Sequence, residues 1–126
     1  MIEYRVVPFE EIRNNNGFFF YKLMINGECH YDYFVKEIEK LPNEQRSLRK
    51  VLTLMERFSP KVFLMNNRIR QIQGLKRKDV FEFKDPPCVR LFVVLDKPNI
   101  YVVSGSTKNG QKAAIRKLDN LLRDFN

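Results

Sequence analysis

The sequence has few of the residues from which metal sites and nucleotide loops are built. Its 126 residues include one histidine and two cysteines, and no His, Cys and Asp group has metal-ligand spacing, which argues against a metalloenzyme. None of its five glycines lies in a Gly-rich phosphate turn, which excludes P-loop and dinucleotide-binding folds. Cys29 and Cys88 lie far apart and outside any CxxC motif, so we expect two reduced, half-buried thiols and no cofactor.

The chain also lacks a long apolar segment. No run approaches the roughly 20 residues that span a bilayer. The N-terminus, "MIEYRVVPFEE", has early acidic residues where a signal peptide has a basic region and an apolar stretch. Both absences favour a cytoplasmic protein with no membrane partner.

Acidic residues are scarce in the second half of the chain. Residues 1–60 hold nine basic and nine acidic side chains, whereas residues 61–126 hold fourteen basic and six acidic ones. The net charge of +8 therefore arises entirely in the second half. Such a surplus favours a polyanionic partner, either nucleic acid or an acidic protein, although a generic soluble basic surface has the same composition.

The patterning predicts one domain, residues 1–126, of the α+β class. Apolar residues at helical spacing predict a helix from Tyr31 to Leu41, with Asp32 as a possible N-cap, and a second helix at 44–58 that completes a helical hairpin. Alternating segments closed by turn residues predict a small, mainly antiparallel sheet with the helices on one face. The predicted strands lie at 2–7, 18–25, 80–84, 89–95 and 100–105, with turns at 85–88 and 96–99 and a last helix at 110–125.

Charged residues alternate with apolar ones along two of these strands. Phe81 and Phe83 share one face, which we expect to pack against the helices, so Glu82 and Lys84 take the other face, and Arg90 joins them if the next strand is in register. We expect this face to be open and to present both cations to a phosphate, with Phe92 available to stack on a base. A cross-strand ion network on an ordinary polar face would give the same pattern.

The motifs in this region are arranged as in a known family. "VFEFK" at 80–84, "VRLF" at 89–92 and "GSTKNGQK" at 105–112 resemble, in order and spacing, motifs of the RelE/ParE toxin superfamily, most closely its HigB-like branch. "NGECHYDYFVKEIEKLP" resembles the family's strand, turn and first helix. The resemblance covers roughly residues 18–123, so residues 1–17 would add an N-terminal strand or arm.

This resemblance implies a type II toxin of a toxin–antitoxin system with a RelE-like fold. Such a toxin is a metal-independent, ribosome-dependent mRNA endoribonuclease, an mRNA interferase, whose partners are a cognate antitoxin, mRNA and the ribosome. By motif position the catalytic candidates are Arg90 for phosphate stabilisation, Lys84 for the same task or as a base, and Glu82 as a weaker base candidate. The candidates for RNA or ribosome binding are Arg68, Arg70, Lys76, Lys78, Lys108 and Lys112.

Two alternatives stay open at this point. Many family members carry a Tyr or His near the start of the last helix, whereas this chain has "KNGQKAAIRK" there and its single histidine, His30, precedes the first helix. ParE-like relatives inhibit DNA gyrase instead of cutting RNA, and a toxin-fold protein could also act only by binding. The residues therefore favour a ribonuclease without assigning its acid–base pair.

Overall fold

Six strands and three helices form the described part of the chain. The computed structural model describes residues 1–61, 67–86 and 88–126. The strands are β1 (Tyr4–Pro8), β2 (Phe19–Ile25), β3 (Ile69–Gln71), β4 (Val80–Lys84), β5 (Val89–Asp96) and β6 (Asn99–Thr107). The helices are α1 (His30–Glu37), α2 (Pro42–Glu56) and α3 (Gln111–Leu121). The predicted α+β class is confirmed.

All six strands belong to one sheet, in the order β1-β2-β6-β5-β4-β3. Every neighbouring pair is antiparallel except β2 and β6, which run parallel over only four residue pairs, from Phe19–Asn99 to Lys22–Val102. The sheet is thus mainly antiparallel, as predicted. The N-terminal segment supplies one of its edges, since β1 pairs with β2 alone.

The three strands predicted in the second half form a continuous meander. β4 pairs with β5 so that Lys84 lies opposite Arg90, and β5 pairs with β6 so that Arg90 lies opposite Ser106. A bulge at Val103 interrupts the second pairing, because Phe92 lies opposite Ser104 while Val93 lies opposite Val102. The predicted turn at 85–88 includes Pro87, which lies outside the described residues.

One face of the sheet packs against the helical hairpin. Tyr31 and Phe34 of α1 and Val51 and Met55 of α2 are buried against apolar side chains of the strands, including Phe83. These helical residues recur at spacings of three and four, which places them on one side of each helix. The predicted packing of the hairpin on Phe83 is therefore confirmed.

The C-terminal helix packs on the opposite face. Leu118 and Leu122 are fully buried in a second apolar cluster with Val80, Phe92 and Val94. The expectation that all helices lie on one face is therefore wrong. An amphipathic stripe shows that a helix is packed, but it carries no information about which side of a sheet receives it.

Local details differ from the predictions at two places. The N-cap of α1 is Cys29, and Asp32 lies within the first turn, where a carboxylate still favours the helix dipole. The turn before α1 has positive φ at Asn26 (51°) and Gly27 (79°), as expected for this pair.

β3 was not predicted, because three residues in a basic segment give no usable alternation. Both Cys29 and Cys88 are free.

Candidate functional site

Three polar side chains lie side by side across the meander. Lys84, Arg90 and Ser106 occupy consecutive strands at the same level and point to the face that carries α3. Lys84 is partly exposed, whereas Arg90 and Ser106 are 5% and 6% exposed. The predicted juxtaposition of Lys84 and Arg90 is confirmed, but Arg90 lies deeper than expected for an open face.

The Arg90 guanidinium is partly engaged by the tip of the β4–β5 hairpin. Its Nη1 donates to the carbonyl of Cys88 (2.9 Å) and its Nη2 donates to the carbonyl of Pro86 (3.2 Å). Its Nε is buried and has no hydrogen-bond partner among the described residues, and the same is true of the Ser106 hydroxyl. Buried polar groups are almost always hydrogen-bonded, so two unpaired groups on adjacent strands indicate a place where a ligand supplies the missing hydrogen bonds.

The same hairpin is fastened to α2 from the other face. The Ser47 hydroxyl donates to Asp85 Oδ2 (2.8 Å) and accepts from the backbone N–H of Val89 (2.9 Å). Both Ser47 and Asp85 are buried. This network fixes the strand positions on either side of the turn, and it thereby fixes the backbone from which Arg90 projects.

The N-terminus of α3 lies beside Ser106. A Cβ atom placed on Gly110, the N-cap, would lie 3.9 Å from the Cβ of Ser106. None of the described side chains caps this end, and its first turn contains no acid. The first N–H groups of a helix lack intrahelical partners and carry a partial positive charge, which favours anions. Exposed Lys108 and Lys112 flank this end.

Glu82 does not project from an open face, contrary to expectation. Its side chain is fully buried, its Oε1 accepts from Gln111 Nε2 (2.9 Å), and its Oε2 accepts from Arg70 Nε. Arg70 lies opposite Glu82 on β3, which the sequence did not reveal. Both carboxylate oxygens are therefore used to hold β3 and the first residue of α3 in place, and they do not face solvent.

Phe92 is likewise unavailable for stacking on a base. It lies on the α3 face, as the register predicted, but it is fully buried in the second apolar cluster. Its burial follows from the position of α3, whose Leu118 and Leu122 cover this part of the sheet.

The remaining predicted RNA-binding residues divide between two ends of the sheet. Arg68 lies near Lys84, whose backbone N–H donates to the Arg68 carbonyl (2.8 Å). Lys76 and Lys78 precede β4 at its opposite end, where the Lys76 N–H donates to Asp119 of α3 (3.1 Å). Lys84 follows Lys78 by six positions in the chain, which is about 20 Å of extended backbone. The structure therefore does not bring Lys76 and Lys78 to the row formed by Lys84, Arg90 and Ser106.

Sequence reasoning missed Ser106, Gly110 and Gln111 as members of this site. All three lie in the segment at 105–112, from which only the two lysines were selected. The sequence does not show the register between β5 and β6, and Ser106 is significant only as the cross-strand neighbour of Arg90. We call Lys84, Arg90, Ser106 and the N-terminus of α3 the cationic notch.

Comparisons with protein-family models, with curated proteins and with solved structures found no match for this chain. Within residues 1–61, 67–86 and 88–126, no group of three or more His, Cys, Asp or Glu side chains is arranged to hold a metal ion. No helix in this described part is long and apolar enough to cross a bilayer.

Proposed function

We propose that the cationic notch binds a phosphate group of RNA. The observation that carries this proposal is the pair of buried, unpartnered groups, Arg90 Nε and the Ser106 hydroxyl, beside the uncapped N-terminus of α3. A phosphate oxygen accepts hydrogen bonds from all three donor types, and the charges of Lys84, Lys108 and Lys112 favour it further. The basic second half of the chain suits the same polyanion.

We further propose that the bound phosphate is the one at which RNA is cut. The 2′-hydroxyl would lose its proton as its oxygen attacks the adjacent phosphorus, and the bond from phosphorus to the 5′-oxygen would break. The 5′-oxygen would take up a proton, so the products would be a 2′,3′-cyclic phosphate and a 5′-hydroxyl. Arg90, Ser106 and the helix N–H groups would stabilise the charge that develops on the phosphoryl oxygens, which is usually the largest catalytic contribution. No metal or cofactor enters this scheme.

Lys84 is the group best placed to exchange protons with the attacking oxygen, because it is partly exposed and lies opposite Arg90. Such proton transfer typically raises the reaction rate by a factor on the order of 10²–10⁴. Glu82, a base candidate by its position in the motif, receives a different role. Since its two oxygens bond Arg70 and Gln111, it positions the first residue of α3.

The biological setting of the proposal comes from the resemblance to RelE/ParE toxins. In that setting the chain has a RelE-like fold, cuts mRNA on the ribosome in the cytoplasm, and is neutralised by a cognate antitoxin. The described sheet, with a helical hairpin on one face and a basic row on the other, is compatible with this proposal.

The proposal is tested by expressing variants and mapping the 5′ ends of translated mRNA. Lys84→Gln and Arg90→Ala should each lower cleavage by 10²-fold or more, and Lys78→Gln, at the far end of β4, should cleave like the parent. Circular dichroism checks that each variant folds, which matters for Arg90 because it also bonds two turn carbonyls. Folded Lys84→Gln and Arg90→Ala proteins that cut at the parent rate would refute the site.

A second candidate is an RNA-binding protein without nuclease activity, and the burial of Glu82 favours it. With both oxygens of that carboxylate engaged, the described residues of the row offer a phosphate two cations but no exposed carboxylate base. This candidate predicts intact mRNA together with RNA binding that weakens in Lys84→Gln. Growth arrest with intact mRNA and inhibited DNA supercoiling would instead indicate the gyrase-directed alternative.

A further inference from the structure

The exposed side of α2 forms one wall of a second basic surface. An open groove of about 700 Å³ lies between this helix and Arg68, the residue before β3. Its cationic lining residues are Arg46, Arg49, Lys50, Arg57 and Arg68. We call this surface the α2 groove. Its described lining includes no carboxylate.

The sequence of α2 explains why these cations share one side. Leu48, Val51 and Met55 form the buried stripe of the helix. The spacings from Arg46 to Lys50 and from Lys50 to Arg57 are four and seven residues, which place these cations together on the side away from that stripe. From Arg46 to Arg57 they extend over about 16 Å of helix.

This arrangement differs from an ordinary solvated helix. Exposed helices are usually supported by pairs of opposite charge three or four residues apart, and like charges at that spacing destabilise a helix. Arg46 and Lys50 are such a like-charged pair, and Arg46 and Arg49 are another. A row of cations held together against their own repulsion fits a surface that is neutralised by a polyanion.

The α2 groove is separate from the cationic notch. α2 lies on the first face of the sheet, whereas Arg90 and Ser106 point to the face that carries α3. The two surfaces meet at the β3 edge, because Arg68 lines the groove and its carbonyl bonds the backbone N–H of Lys84. A strand whose phosphate occupies the notch can therefore continue around this edge towards α2.

We propose that the α2 groove binds the phosphate backbone of the same RNA, outside the segment that is cut. This inference rests on the proposed function. The groove supplies cations without a described aromatic or amide side chain that could read a base, so it contributes affinity that is independent of sequence and sensitive to salt.

The test uses a fluorescent single-stranded RNA of about 12 nucleotides with 2′-O-methyl groups throughout. This probe lacks the attacking hydroxyl, so binding is measured without cleavage. The variant is Arg49→Gln, Lys50→Gln and Arg57→Gln combined, and the matched control, with the same loss of charge, is Arg5→Gln, Lys97→Gln and Arg123→Gln combined. All six side chains are exposed.

The α2 variant should bind the probe at least tenfold more weakly than the parent at moderate salt. Its slope of log affinity against log salt should be smaller by about 2, because each lost phosphate contact removes about 0.7 on single strands. The control variant should change the slope by less than half as much. Circular dichroism should show the same spectrum for all three proteins.

Three outcomes would overturn the inference. The parent could fail to bind the probe, the two triple variants could weaken binding equally, or the α2 variant could retain RNA binding while losing binding to poly-glutamate, which would assign the groove to an acidic protein. The cleavage assay on Lys84→Gln is a separate measurement. If Lys84→Gln cuts at the parent rate while the α2 variant binds more weakly than its control, the proposed cleavage site has failed. If Lys84→Gln loses cleavage while the α2 variant binds like its control, the inference about the α2 groove has failed.

Discussion

The two faces of the sheet bury very different side chains. Beneath α1 and α2 the core is mainly aromatic and aliphatic, and Ser47 and Asp85, which are buried there, are hydrogen-bonded to each other. Beneath α3 only one half is apolar, around Leu118 and Leu122. The other half holds Glu82, Arg90 and Ser106.

This difference separates the buried residues that stabilise the fold from those whose burial lowers its stability. Apolar burial accounts for the first face and for the half of the second face beneath Leu118. Burying Arg90 Nε and the Ser106 hydroxyl without partners costs free energy, so those positions oppose folding and point to binding. Matched substitutions on the two faces should therefore have different effects.

The largest expected effect is the loss of stability when a buried side chain is truncated in a helix that covers either face. Leu118→Ala in α3 and Met55→Ala in α2 each remove a fully buried side chain, and each should lower the free energy of unfolding by about 2–5 kcal/mol. Urea denaturation measures both. Leu41→Ala, at a residue 42% exposed, is the control and should stay within about 0.5 kcal/mol. A loss below about 1 kcal/mol for Leu118→Ala would mean that α3 contributes little to its face.

The next effect is the destabilisation expected when a side chain is added where α1 closely approaches the first face. A Cβ on Gly105 would lie 2.5 Å from Phe34 Cδ2 and 2.8 Å from Leu91 Cδ2, so Gly105→Ala should destabilise the protein by about 1–3 kcal/mol through overpacking. Gly110→Ala is the matched control, since its nearest neighbours would lie 3.9 Å away, and should cost less than about 1 kcal/mol. Equal thermal unfolding midpoints for the two variants would contradict the close approach.

The buried serines of the two faces should respond in opposite directions. Ser47→Ala leaves Asp85 and the Val89 N–H without their partner and should cost about 1–3 kcal/mol. Ser106→Ala removes an unpaired hydroxyl and should be neutral or stabilising by up to about 1 kcal/mol, while it weakens RNA binding. Chemical denaturation gives the first quantity and fluorescence anisotropy the second. A Ser106→Ala protein as unstable as Ser47→Ala would show that Ser106 has a structural partner.

The smallest effect is a pH dependence of stability that arises from Tyr31 on the first face. Burial raises the pKa of Tyr31 above its ordinary value, with nearby Glu11 and Asp32 adding to the shift. The folded protein therefore keeps the neutral phenol when the unfolded chain has begun to ionise near pH 10, so stability falls as pH rises through that region. Between about pH 9 and 11 the parent should lose about 1 kcal/mol more than Tyr31→Phe in denaturation curves. Parallel curves for the two proteins would contradict this assignment.

Strand and turn patterns predicted the elements of the second half closely. The pattern predicts β4 at 80–84 and β5 at 89–95, one residue short of its observed end, because Phe81 and Phe83 alternate with charges and turn residues follow each strand. The adjacency of Lys84 and Arg90 followed from the same pattern. The burial of Glu82 could not be foreseen, because it depends on β3 and on a helix that begins 29 residues later in the chain. Long-range packing of this kind leaves no local periodicity to detect.

The two carbonyl contacts of the Arg90 guanidinium have a consequence for the strength of anion binding. A free arginine on a protein surface loses roughly 2 kcal/mol of rotamer entropy when a ligand immobilises it. With Nη1 and Nη2 already held by Cys88 and Pro86, that loss occurs once, during folding, and is not repeated at each binding event. An oxyanion that reaches Nε therefore meets a rigid donor, and its affinity for this arginine should be higher than for any of the flexible lysines nearby.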